Sequence, residues 1–174
     1  MNVHVHIAAA GIVIILLDLI IPLKSLELFC IIIGSIALDL DFFVTKKFHR
    51  KMPTHFPFLW IPITLLGLFY YPLFCLGFAA LVHLLLDCFD WGIYLFGPFS
   101  KKLYFQFIEI PQGTRTLSQY IKRLYKTPVP LFIEISTTSI FFVFVLFNLH
   151  TLILLFGIYC IVACTTWLYI LWVN

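Results

Sequence analysis

From Leu131 to Trp172 the chain carries one carboxylate, Glu134, one histidine, His150, and no lysine or arginine. A helix crossing about 30 Å of hydrocarbon needs about 20 apolar residues, so this run is too long for one helix. Asn148-Leu149-His150 near its middle reads as a tight turn between two. Similar runs fill the N-terminal half, at about residues 7–23, 26–44, 58–71 and 73–89. The third is short, bounded or kinked by Pro62 and Pro72, and fits a crossing or a re-entrant segment. The chain is 63% hydrophobic and 11% charged, against about 45–50% and about 25% in ordinary soluble domains. That leaves no room for a disordered tail, a collagenous repeat or a separate soluble catalytic domain. The expectation is an all-α integral membrane protein, with about six transmembrane helices in one bundle. The first run has no basic segment before it and no small-residue cleavage site after it, so it reads as a retained helix rather than a signal peptide. The whole of residues 1–174 reads as one transmembrane domain. Chemistry-bearing motifs occupy 1–105, an interfacial segment about 91–130 and a C-terminal helical hairpin about 131–174.

Six crossings would place Lys46, Lys47, Arg50, Lys51, Lys101, Lys102, Arg115, Lys122, Arg123 and Lys126 on one side and Lys24 on the other. The positive-inside rule then puts both termini and the two long loops in the cytoplasm, at the inner or plasma membrane. Within the longer loop, residues 117–126 set Leu117, Tyr120, Ile121, Leu124 and Tyr125 against Lys122, Arg123 and Lys126. This predicts a short amphipathic helix lying on the membrane. The five cysteines fall in apolar runs without CxxC spacing and carry no functional signal.

The ionisable groups that remain are not scattered. On this topology His4 and His6, Asp39 and Asp41, His49 and His55, and His83, Asp87 and Asp90 gather at one membrane face from four segments. His83 and Asp87 are four apart and Asp90 is seven from His83, so all three lie on one helical stripe. A histidine and a carboxylate so spaced reach one cation, although such a pair also makes an ordinary helix-end hydrogen bond. Asp39 and Asp41 are two apart, about 160° around a helix, and share a site only if the helix ends or unwinds there. His4 and His6 pose the same problem, leaving open which of the two is a ligand. Imidazole and carboxylate together suit a divalent ion, zinc first, with manganese and iron as alternatives, rather than calcium.

These blocks resemble the YdjM-like membrane-bound metal-dependent hydrolases, a family described as LexA-binding and inner-membrane-associated. The matching features are an N-terminal His (His4 or His6), Gly34-Ser35-Ile36-Ala37-Leu38-Asp39-Leu40-Asp41, His49-Arg50-Lys51-Met52-Pro53-Thr54-His55, and His83-Leu84-Leu85-Leu86-Asp87 followed by Gly92 and Pro98-Phe99. The family pattern has Pro where Leu38 stands and Ser where Phe56 stands, and its loop block is one residue shorter between the histidines. The resemblance covers roughly the first 105 residues and implies a helical membrane hydrolase. The ligand pattern is also similar to that of the all-helical zinc-dependent phospholipase C enzymes.

Residues and resemblance together lead to a membrane-embedded hydrolase holding one or two divalent ions. Its metal ligands are expected among His4, His6, Asp39, Asp41, His55, His83 and Asp87. Asp90 and His49 are candidates for proton transfer or ligand orientation, Arg50 for steadying an anionic headgroup, and Thr54 and Glu134 for support behind the ligands. Membrane lipids and an amphiphilic or lipid-like phosphoester are the expected partners and substrate. The oligomeric state is open. No P-loop, GxGxxG or nucleic-acid motif is present. Two other readings compete: a non-enzymatic anchor recruiting a soluble partner through the basic loops, and a divalent-cation transporter, which would need paired ionisable groups near mid-membrane.

Overall fold

The structure, a computed structural model, describes residues 3–40, 53–89, 92–99, 102, 104–105, 107, 126–147 and 149–173. Its helices are α1 (Val3–Asp18), α2 (Ser25–Ile36), α3 (Pro57–Leu66), α4 (Tyr71–Asp87), α5 (Pro128–Phe147) and α6 (Leu149–Val173). Single 3₁₀ turns stand at Pro53–His55 and Gly97–Phe99, and among the described residues there is no strand beyond an isolated Ile93–Tyr104 bridge. The interfacial helix expected over 117–126 lies outside the described residues except for Lys126.

The all-helical expectation agrees with this architecture, but about six transmembrane helices does not. Among the described residues one helix, α5, is long and apolar enough to cross a membrane. Helices α1 to α4 have 16, 12, 10 and 17 residues. At 1.5 Å per residue they reach about 15–26 Å, short of about 30 Å of hydrocarbon. Hydropathy continues through the turns that end these helices, so apolar runs overstate helix length. Residues 26–44 read as one span, yet α2 stops at Ile36 and the chain turns through Ala37–Leu40. The first run starts earlier than its hydropathy indicates and ends at Asp18, whose Oδ1 accepts the Leu23 N–H at 2.8 Å. The next helix is opened by Glu27, which accepts the Lys24 N–H at 3.0 Å and sits favourably in a first turn. Pro57 and Pro72 lie in the first turns of α3 and α4, where a missing N–H costs nothing.

Helix α1 is apolar on every side because it is surrounded. Val5, Ala8 and Ala10 are wholly buried, Ile7 and Ile14 nearly so, and α1 packs on α2, α4, α5 and α6. Phe141 of α5 is fully buried at Gly11. Helices α2 and α4 run parallel and very close: a Cβ at Gly34 would strike the Leu76 carbonyl and crowd Ala79. That approach sets the distance between the C-terminal ends of the two helices.

The outer surface stays apolar. Phe69 (92% exposed), Phe99 (83%), Phe147 (82%) and Leu146 (79%) lead a long series of exposed large hydrophobics.

Because the obstacle at Gly34 is backbone, Gly34→Ala is expected to destabilise the bundle by about 1–3 kcal/mol. Gly157→Ala in α6, with nothing within 4 Å of the added carbon, should instead stabilise by about 0.5–1 kcal/mol. Thermal unfolding of the two variants checks the contrast.

Candidate metal centre

Three elements end at the same place. Helix α1 begins there with His6, α4 finishes there with His83 and Asp87, and the turn after α2 brings Asp39. The Asp39 N–H closes back on the Ile36 carbonyl at 3.0 Å. The helix therefore ends just before the aspartate, as a shared site requires. A fourth contribution is His55, the last residue of the Pro53–His55 turn and 1% exposed. That turn is fixed by the Trp60 indole N–H, which donates to the Thr54 carbonyl at 2.6 Å. It is braced by Gly97 (φ 56°), set against the Phe56 ring, and by Phe99 edge-on to Phe58 at 6.4 Å.

The facing atoms are Nε2 of three imidazoles and the oxygens of two carboxylates. His6 Nε2 lies 3.5 Å from Asp87 Oδ1 and 3.8 Å from Asp39 Oδ2. His83 Nε2 lies 3.5 Å from Asp87 Oδ2 and 3.7 Å from Asp39 Oδ1, and His55 Nε2 lies 3.8 Å from Asp87 Oδ2. These separations exceed the usual 2.7–3.2 Å of a good N–H···O bond. Two ligands each about 2.1 Å from a common ion at a tetrahedral angle stand about 3.4 Å apart, close to what is seen. His6 Nε2 and His83 Nε2 are buried with no hydrogen-bond partner. His6, His83 and Asp87, and likewise Asp39, His55 and His83, each offer ligand atoms within 4.8 Å of one another. The cluster could hold a metal ion.

The tautomer of His83 favours this. Its Nδ1 lies 2.7 Å from the Ser35 carbonyl, which can only accept, so the proton sits on Nδ1 and the lone pair of the neutral ring on Nε2. Ser35 lies in the last turn of α2, where the helix leaves carbonyls without a backbone donor. Burial, then the neighbouring His83, lowers the His6 pKa to about 4, against the pull of Asp39 and Asp87. Burial also works against charge on His83, but Asp39 and Asp87 outweigh it and raise its pKa. The two carboxylates thus favour positive charge within the cluster.

The two N-terminal histidines separate. His6 faces the cluster, while His4 turns to the other side of α1, where its Nε2 lies 3.0 Å from Glu134 Oε1 and its ring meets Tyr159 edge-on at 5.7 Å. Glu134 is buried, and it meets His4 rather than a residue of the cluster. Thr54 acts through its carbonyl on the turn carrying His55. Asp41, His49, Arg50 and Asp90 lie outside the described residues. Sequence reasoning missed Ser35 and Trp60. The Ser35 contact uses a backbone carbonyl that no side-chain motif reveals. Trp60 carries a polar N–H within an apolar helix, and a buried indole of that kind usually seeks an acceptor.

No protein-family model, curated protein or solved structure matches the chain.

Glu134→Ala leaves His4 facing an empty acceptor position in the interior. The variant is expected to lose about 1–3 kcal/mol of stability while its metal content stays near wild type, whereas Glu134→Gln, which retains an acceptor, should lose less. Unfolding curves paired with metal analysis separate support of α1 from ligation.

Proposed function

We propose that this chain is a metal-dependent hydrolase working at a membrane on a phosphoester or lipid-like substrate, as its resemblance to the YdjM-like family implies. One observation carries the reading: three imidazoles and two carboxylates, at most 13% exposed by side chain, turn their Nε2 and carboxylate oxygen atoms toward one another at 3.5–3.8 Å. A divalent ion bound there, zinc by its nitrogen and oxygen ligands, supplies Lewis-acid polarisation of the scissile bond and lowers the pKa of water.

The protein's own part is to hold and shield. Ser35 fixes the His83 tautomer, and the Trp60–Thr54 contact fixes the His55 turn. His6, His55, His83 and Asp87 are 1% exposed or less, and Asp39 at 13% by side chain is the ligand nearest to solvent. Substrate accordingly approaches on the Asp39 side. Arg50 is the cation we assign to an anionic headgroup. His49 and Asp90 are the residues we assign to proton transfer.

Seating at a membrane is supported by the exposed apolar residues, Phe69, Phe147 and Leu146 among them, an extent of apolar surface that in an isolated domain marks an interaction face.

Metal analysis of purified protein, with hydrolysis of a phosphodiester and lipid panel, tests the proposal. Wild type should carry bound divalent metal and hydrolyse a member of the panel, and Asp39→Ala and Asp87→Ala should lose both properties. A wild type that stays metal-free after exposure to zinc would sink the reading. Metal without hydrolysis of any substrate would favour the anchor or transporter instead.

A further inference from the structure

The His6 and His83 rings are stacked, with centroids 3.7 Å apart and planes 15° from parallel. An imidazole lone pair lies in its ring plane, so two stacked rings facing the same carboxylates aim along nearly parallel lines that do not converge. An ion midway between rings 3.7 Å apart would sit about 1.9 Å out of each plane. At a metal–nitrogen distance of about 2.1 Å each bond would then leave its ring plane by about 60°. Ions placed one in each ring plane would instead stand about as far apart as the rings. Two-metal hydrolytic sites have separations of about 3.5–4 Å.

The carboxylates repeat the division. Asp39 turns Oδ2 to His6 and Oδ1 to His83, at 3.8 and 3.7 Å. Asp87 turns Oδ1 to His6 and Oδ2 to His83, both at 3.5 Å. Each aspartate offers a different oxygen to each imidazole, which is the arrangement of a bridging carboxylate. His83 itself cannot bridge, because its Nδ1 is committed to the Ser35 carbonyl.

We infer that the cluster is a two-ion centre with Asp39 and Asp87 bridging, an inference that rests on reading the cluster as a metal site. The two positions are unequal. The one at His83 also receives His55, whose Nε2 shares Asp87 Oδ2 with it, giving two nitrogens and two oxygens, a filled tetrahedral set. Among the described residues, the one at His6 has a single nitrogen and two oxygens, the three protein ligands typical of a catalytic zinc position. A phosphoester would fit such a pair, since two of its oxygens can reach two neighbouring ions.

Zinc titration of the chelated full-length protein, followed by metal analysis after removal of free ion, tests this, with zinc-edge X-ray absorption on the same sample. Two zinc ions per chain and a zinc–zinc scattering path near 3.5–4 Å are expected. His6→Ala should keep one ion and lose that path. One ion per wild-type chain without the path overturns the two-ion centre and leaves the metal reading standing, whereas no bound zinc overturns both. The wild-type measurement decides even if His6→Ala does not fold.

Discussion

Two carboxylates and three imidazoles that turn toward one another at 3.5–3.8 Å in the interior form one electrostatic unit suited to a cation. Burying an isolated carboxylate is prohibitively expensive, and a buried charge persists only when paired or bound to metal. Asp87 is wholly buried and Asp39 largely so, and each turns its two oxygens toward His6 and His83. This electrostatic requirement accounts for features that otherwise look unrelated. It needs α2 and α4 close enough to put Asp39 opposite His83, which the missing side chain at Gly34 permits. It needs α1 in the middle of the bundle, because His6 must meet both of those helix ends at once. It also needs a rigid turn to deliver His55 from a segment outside the helices, and Trp60, Phe56 and Gly97 provide one.

The C-terminal helices, which carry no motif, are tied to the site indirectly. Glu134 on α5 meets His4, two residues before His6 on the central helix, and Tyr159 on α6 packs edge-on against the same imidazole. A polar pair in an apolar interior is costly when misaligned and holds one alignment when satisfied. The contact therefore fixes the rotation of α1 about its own axis, which decides whether His6 or His4 points at the carboxylates.

The convergence of His6, Asp39, His55, His83 and Asp87 was legible in the sequence, because so apolar a chain makes every ionisable residue conspicuous and the i, i+4 spacing of His83 and Asp87 is a helical signature. Choosing between His4 and His6 was not, since it depends on which neighbours surround α1. The Ser35 contact was hidden for a related reason, being made by backbone at a helix end. The helical nature of the apolar runs was legible, but their reading as membrane crossings was not, because helix length was overestimated. Hydropathy registers residue type but not where a backbone ladder stops, so the turn at Ala37–Leu40 and the break after Asp18 were absorbed into apolar runs. The orientation argument inherited that weakness, because alternating loops presuppose complete crossings.

The central claim is that the fold is completed by a cation at Asp39, Asp87 and the three imidazoles. Thermal unfolding of the chelated protein, with and without added zinc, measures this most directly. An ion that binds only the folded chain at 100 times its dissociation constant stabilises by about 2.7 kcal/mol, which in a domain of this size raises the midpoint by about 5–10 °C. The account predicts a rise of that order in wild type and none in Asp87→Asn, which preserves shape and removes the charge. An unmoved wild-type midpoint, or an equal rise in Asp87→Asn, would contradict it.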